Sequence, residues 1–333
     1  MQLFGPQHHP RGPVPALVPE PVQELARRLP DGVHLGTSSW SFPGWRGLVW
    51  AGTPDGDFLA REGLGAYTAH PLLNLVGVDR SFYRPVPTKD WQRYHDQACP
   101  KAAFLVKGPQ SAVWARFPDH PRWGSQRGQD NADFLNAQHI MDTTLAPMCR
   151  HLPGRRLVLV LQLPPQSLDS LGGERRFAER LQQCMSELAS SARKIQLNTG
   201  KQVILAVEPR TSGVLGSAYV RALEDSGATH CVAVHPTMPS VQAQHLAVLQ
   251  HLPRRPFVAR WMLGVPLPYA RAKARYAPFD RIVDADPRVR RALARRIREA
   301  VRSAGELAFV AINNKAEGSA PLTIVGLAEQ VVG

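Results

Sequence analysis

Several things are scarce in this chain, and each scarcity excludes a class of protein. The four cysteines, Cys99, Cys149, Cys184 and Cys231, stand far apart, so they make neither a metal knuckle nor a redox pair. Scattered reduced thiols fit a cytoplasmic protein. No apolar run approaches the roughly 18 residues of a membrane-spanning helix. The opening stretch MQLFGPQHHPRGPVPALVPEP lacks a basic start followed by an apolar segment, so it does not read as a secretory leader. There is no GxSxG elbow, no P-loop and no HExxH pair, which removes the best-marked hydrolase, nucleotidase and metalloprotease signatures. Lysine is scarce too: 7 of the 40 basic residues are Lys and 33 are Arg.

What remains is a basic chain of 333 residues with a net charge of +13. With 44% hydrophobic residues it can bury a real core, which excludes global disorder. The charge is lopsided. Between residues 254 and 302 there are 14 basic and 4 acidic side chains, a net of +10. Much of that stretch reads as one helix. Asp286 is placed to cap it and Pro287 suits its first position. Val289, Leu293, Ile297 and Val301 form its apolar stripe, while Arg288, Arg290, Arg291, Arg295, Arg298 and Arg302 fill the rest of the circumference. Such a face is ordinarily a solvated outer wall; the competing reading is a polyanion-binding surface.

Residues 1–30 hold seven prolines and read as an extended arm with a short helix near 22–29. From 31 to 333 the pattern is regular and reads as one domain. Short apolar, β-branched runs fall at 33–36, 75–79, 103–107, 157–163, 203–208, 231–235, 257–261 and 308–313. Helical patterns lie between them. The clearest is the stripe Phe177, Leu181, Cys184, Met185 and Leu188; a weaker one runs through Phe134, Leu135, Gln138 and Met141. Others fit 57–69, 88–98, 215–226, 240–251, 287–303 and 321–332. Strand then helix, eight times, predicts an α/β fold of the (β/α)8 TIM-barrel type. An open doubly wound sheet is the runner-up, and the missing glycine-rich fingerprint after the first strand counts against it.

In such barrels chemistry gathers where strands end. Polar residues at those ends give a candidate site. Strand one is followed by Trp40 and Trp45. Strand two ends at Asp79, then Phe82 and Tyr83. Strands three and four end at Lys107 and Gln162. Glu208 and Arg210 end strand five, His235 ends strand six, Arg260 lies on strand seven, and Asn313, Asn314 and Lys315 close strand eight. Lys107, Arg210 and Arg260 suit phosphate or carboxylate. Glu208 is the first acid/base candidate, because burial at a strand end would raise its pKa; Asp79 is the second. The four aromatics suit stacking on a sugar ring or base. Each has a plain alternative: Glu208 and Arg210 pairing with each other, Lys107 capping its strand, the aromatics closing the barrel. Glu208, His235 and Asp79 are the only plausible metal ligands, at no helical i, i+4 spacing, so no cofactor is expected. A long loop after strand three, 108–130, interleaves Trp114, Arg116, Arg122, Trp123 and Arg127, as a lid or a strand-binding surface would.

These residues also resemble a known family. GTSSWSFPGWRG at 36–47, SFYRPVP at 81–87, FLVK at 104–107, LQLPP at 161–165, AVEPR at 206–210 and INNKAEGSAP at 312–321 look like the YecE-like family, the domain of unknown function number 72. The resemblance runs in order from Gly36 to Pro321 and implies a TIM-barrel-like fold, without supplying an activity. Trp40, Trp45, Phe82, Tyr83, Lys107, Gln162, Glu208, Arg210, Arg260, Asn313 and Asn314 match the pattern. Gly77 stands where the family resembles glutamate, Asp79 where it resembles asparagine, and His235 where it resembles aspartate. The usual Thr-His pair after strand three has no match in 108–114, so the chain resembles a divergent member. The expected function is binding, with hydrolysis or isomerisation, of a phosphorylated or anionic sugar-like substrate. A nucleic-acid-binding or phosphodiester-processing protein and a degenerate interaction partner are the alternatives. No membrane partner is expected, and the sequence leaves the oligomeric state open.

Overall fold

The computed structural model describes residues 12–333 apart from 155, 265 and 304. The first part of the proline-rich arm, residues 1–11, lies outside them. Eight parallel strands close into a barrel in chain order: β1 (Val33–Thr37), β2 (Leu75–Val78), β3 (Ala103–Lys107), β4 (Arg156–Leu163), β5 (Gln202–Pro209), β6 (Thr229–Val234), β7 (Phe257–Trp261) and β8 (Ala308–Ile312). The open doubly wound sheet is thereby excluded, since β8 pairs back onto β1 from Val33↔Ala308 to Thr37↔Ile312.

Helices surround the barrel: α1 (Glu20–Arg28), α2 (Gly56–Glu62), α3 (Leu64–Ala69), α4 (Thr88–Gln97), α5 (Ala137–Ile140), α6 (Ala146–His151), α7 (Glu174–Thr199), α8 (Ser217–Ser226), α9 (Val241–Ala247), α10 (Tyr269–Tyr276), α11 (Pro287–Arg298) and α12 (Ala320–Val332). The helix expected over 57–69 is two helices, α2 and α3, meeting at Gly63. A Cβ there would lie 2.5 Å from the Leu59 carbonyl oxygen, so only glycine fits the junction. The pattern over 240–251 holds α9 and then a separate 3-10 turn, Leu249–His251. Among the described residues no helix is long and apolar enough to cross a membrane.

The period-two alternation of strand side chains sorts the core into two shells. Outward residues such as Leu35, Val76, Phe104, Leu159 and Val310 pack against the helices. Inward residues fill the lumen: Leu75, Leu105, Val158, Val160, Ile204, Ala206, Cys231, Val258, Phe309 and Ala311. Two further residues along β3, β4, β5 and β7, the inward series reaches Lys107, Gln162, Glu208 and Arg260. The same alternation that fills the lumen with apolar groups thus delivers polar ones to its C-terminal end.

Candidate functional site

Arg260 organises that end. It sits in register with Ala233 on one side and Ala311 on the other, and Ala311 pairs with Gly36. Three small residues leave the volume that one guanidinium can occupy. Arg260 has no solvent exposure and spans the lumen. Its Nη2 donates to both carboxylate oxygens of Asp79 at 2.9 Å. Its Nη1 donates to Glu208 Oε2 at 2.6 Å and to Gln162 Oε1 at 3.0 Å. Its Nε is buried with no partner among the described residues. On the far side, Arg210 Nε donates to Glu208 Oε1 at 2.7 Å. Asp79, Arg260, Glu208 and Arg210 therefore form one continuous chain of alternating charge across the mouth.

The chain of charge reverses one expectation. Burial does push the Glu208 pKa up, but Arg210 and Arg260 pull harder, and the carboxyl ends below its ordinary value. Glu208 is a permanent carboxylate that fixes two guanidiniums; the raised pKa that would suit a general acid is not there. For Arg260, burial opposes the charge, yet Asp79 and Glu208 outweigh it and hold the pKa above the usual arginine value.

Lys107 stands differently. It is 4% exposed, and its Nζ lies 3.8 Å from the centroid of the Phe82 ring and 5.9 Å from that of Tyr83. Ser81 Oγ donates to its backbone carbonyl at 2.7 Å, fixing the strand end. Burial pulls its pKa down to about 8, with Asp79 opposing and Arg260 adding to the shift. His235 is half-buried. Its Nδ1 accepts from the Thr237 backbone N–H at 3.3 Å, and burial together with Arg210 lowers its pKa to about 4, so the ring is neutral at pH 7.

Other candidates are placed elsewhere. Trp45 has no exposure; it stacks on Trp50 and donates from Nε1 to Asn314 Oδ1 at 3.0 Å. Asn314 Oδ1 also accepts from the Ala320 N–H at the start of α12. Both are parts of the wall, not stacking or binding groups at the mouth. Trp40 is 6% exposed and donates to the Leu59 carbonyl, which ties β1's loop to α2. Asn313 caps the following turn through the Lys315 N–H. Phe82 is buried beneath Lys107, whereas Tyr83 is exposed. The suggested metal trio does not assemble: among the described residues no three His, Cys, Asp or Glu side chains cluster as ligands, and the Asp79 and Glu208 oxygens are taken by Arg260.

Of two further mouth cations, Lys315 stood among the strand-eight end residues without a predicted role, and Lys273 did not figure at all. Lys315 is partly buried, with its pKa lowered by burial; Asp79 opposes that shift and Lys273 adds to it. Lys273 comes from α10, an element the sequence patterns did not indicate. Lys315 was readable as the residue after Asn313-Asn314. In the long loop, Arg116 pairs with Asp130 at 3.3 Å and Arg127 with Asp119. Trp114, Arg116, Phe117 and Gln166 line a groove of about 740 Å³ beside the mouth.

The departure at Gly77 has a steric side. A Cβ there would sit 2.4 Å from the Thr37 carbonyl oxygen and 2.8 Å from the Ser38 Cα, so β1 and β2 approach too closely for a longer residue. The carboxylate that meets Arg260 comes from Asp79, two positions on.

No curated protein matches the chain. Among solved structures, it is similar to a DUF72 family protein from Enterococcus faecalis, with TM-score 0.54 and 12% identity, covering 90% of this chain and 95% of that one. It is also similar to a DUF72 family protein from Thermotoga maritima, with TM-score 0.52 and 18% identity, covering 89% and 98%. These likenesses show the fold. The family model described as protein of unknown function DUF72 matches residues 34–333, nearly the whole barrel, and the chain therefore belongs to the DUF72 family.

Proposed function

We propose that the protein is an enzyme that binds and transforms a small anionic, sugar-like molecule at the C-terminal mouth of the barrel. The observation that carries this reading is the charge surplus there. Among the described residues Lys107, Arg210 and Arg260 stand against the two carboxylates of Asp79 and Glu208, and His235 is neutral at pH 7. A phosphate or carboxylate would complete the balance, and a low-dielectric lumen strengthens such attraction. The two carboxylates orient the guanidiniums that meet the anion, Lys107 stands beside them, and Tyr83 offers an exposed ring at the rim. With its pKa at about 8, Lys107 titrates close to neutrality, whereas the Glu208 carboxyl is held below its ordinary value, so proton transfer at pH 7–8 falls to Lys107 more readily than to Glu208.

The test is thermal denaturation with inorganic phosphate and a panel of sugar phosphates, comparing wild type with Arg210→Ala. Phosphate should raise the wild-type Tm, by an amount that grows with ligand concentration, and the variant should respond less. Equal response in both, or none, would remove the reading. Oligonucleotide binding that weakens steeply with salt would instead favour the polyanion alternative.

A further inference from the structure

We propose that the Lys107 amine forms an imine with the carbonyl carbon of an anionic aldehyde or ketone held at the mouth. This deepens the preceding reading and rests on it. The geometry is that of a nucleophile rather than a clamp. Lys107 ends β3 on the lumen side and is buried to 4% exposure. Phe82 lies under its ammonium. Among the described residues its Nζ has neither an ion pair nor a hydrogen bond. Lys201 gives the contrast: it too is partly buried, but its Nζ donates to the Cys149 and Leu152 carbonyls at 2.6 and 2.7 Å, so its lone pair is never presented. Burial is what disfavours an ammonium at Lys107; Arg260 and Arg210 add to it, while Asp79 and Glu208 oppose it. With its pKa at about 8 instead of 10.5, Lys107 holds about 300 times more free amine at pH 7 than an ordinary lysine, ten-fold per unit. A desolvated lysine beside another cation is how amine nucleophiles are activated in general.

The step balances without a redox partner. The amine lone pair forms the N–C bond as the carbonyl π bond opens onto oxygen. The oxygen takes one proton from the nitrogen and one from solvent and leaves as water. An iminium remains, with one proton on nitrogen. That cation acidifies the neighbouring C–H or weakens the neighbouring C–C bond, so the substrate class is a phosphorylated or carboxylated carbonyl compound, and isomerisation or carbon–carbon cleavage is the reaction class.

The chain's seven lysines make the test direct. The full-length protein is incubated at pH 7.5 with glyceraldehyde 3-phosphate and sodium cyanoborohydride, which reduces an iminium to a stable secondary amine, and is then peptide-mapped. Lys107 should be modified at least ten-fold faster than the exposed Lys89, Lys101 and Lys194. Uncharged glyceraldehyde should react more slowly at Lys107, inorganic phosphate should protect it, and Lys107→Arg should lose that adduct alone. If Lys107 reacts no faster than the exposed lysines while phosphate still stabilises the protein, the imine is wrong and the anion site stands. Equal rates with both aldehydes overturn the anionic substrate class. If phosphate neither stabilises nor protects and Lys107 stays unmodified, both fall.

Discussion

Two glutamates in this chain, Glu208 and Glu317, have no solvent exposure, and each is met by arginine. Glu208 lies in the barrel mouth between Arg210 and Arg260. Glu317 lies in the wall, in the loop between β8 and α12, where its Oε2 accepts from Arg290 Nε at 2.9 Å and its Oε1 takes the Asp286 N–H. Its backbone carbonyl also accepts from the Val283 and Asp284 N–H groups. The wall site is complete. It pins the segment leading into α11 against β8's loop, and its one arginine keeps 18% side-chain exposure. The mouth site is incomplete: two guanidiniums share Glu208, and among the described residues Lys107 has no carboxylate of its own and Arg260 Nε has no partner. The same residue types thus make a rivet in one place and, on the function proposed above, a receptor in the other, and what separates them is surplus charge.

The largest expected effect follows from that difference. Glu208→Ala leaves two guanidiniums buried beside no carboxylate but Asp79, and breaking a buried pair in this way costs about 3–5 kcal/mol. Glu317→Ala leaves Arg290 able to turn toward water, so its cost should be nearer 2 kcal/mol. Urea melts read both. Inorganic phosphate should stabilise Glu317→Ala as it does the wild type, and Glu208→Ala more strongly, since two guanidiniums there have lost their carboxylate. Because the folded Glu208 carboxyl lies below its ordinary value of 4.5, its contribution is full above that pH and fades as pH falls through the lower folded value. Equal costs for the two substitutions would break the distinction.

A cation at each site gives the next contrast, and here the signs should oppose. Arg290→Met removes the partner of a buried carboxylate and should cost about 3–5 kcal/mol. Lys107→Met removes a buried ammonium that has no ion pair, so it should stabilise the fold by about 1–3 kcal/mol at pH 7. Lys107 is lowered to about 8 in the folded chain. Below pH 8 both states carry its proton and the folded state bears the burial cost. Between about pH 8 and 10.5 the folded state has released the proton while the unfolded chain keeps it, so wild-type stability gains relative to Lys107→Met, and the gap closes. A gap that stays constant with pH would show that Lys107 is not desolvated. Stabilisation on removing a group is the mark of one kept for function.

The barrel was legible because its signal repeats: eight apolar runs with helical spacers leave little choice of topology, and period-two alternation also carried Lys107, Gln162, Glu208 and Arg260 to one end. The parts that failed share a physical cause. Trp45 and Asn314 stand near strand ends like the rest, but their bond to each other is made 269 positions apart in sequence, and no local pattern reveals which of two polar tips meets the other. The fall of the Glu208 pKa needed the positions of two arginines, one of them 52 residues away. Lys273 was hidden because α10 has its cations at 271, 273 and 275, the alternation of a strand and not the 3.6 period of a helix. The split of the 57–69 pattern at Gly63 depended on a contact with the Leu59 carbonyl.

Asp79→Asn sharpens the mouth by a smaller step. Asparagine keeps one acceptor for Arg260 Nη2 and drops the charge, and Asp79's side chain is 25% exposed, so the cost should be about 1 kcal/mol. It also installs the residue the family pattern resembles at this position. With one carboxylate fewer, phosphate affinity should rise several-fold, and the rise should shrink at high salt because the site opens to solvent. A loss of affinity would mean that Asp79 touches the ligand as an acceptor.

The smallest effect belongs to the most basic element. On α11 the arginines divide. Arg290 pairs with Glu317, Arg296 is buried against Glu299, and Arg298 donates to the Gln330 carbonyl. Arg288, Arg291 and Arg295 are exposed. The stripe of Leu293 and Ile297 is buried as its spacing predicts, so the exposed three lie on an outer wall at no reach of the lumen groups. Replacing all three by Gln should change stability by less than about 0.5 kcal/mol each and leave the phosphate-induced Tm shift unaltered. If oligonucleotides bound this face, the triple variant would lower the salt slope by about one unit per lost phosphate contact. An unchanged slope together with an unchanged phosphate response would place the working charge of this protein in the few buried cations of the mouth, since an exposed arginine on a helix is already neutralised by water and counterions while a buried one must find its anion in the protein or in a ligand.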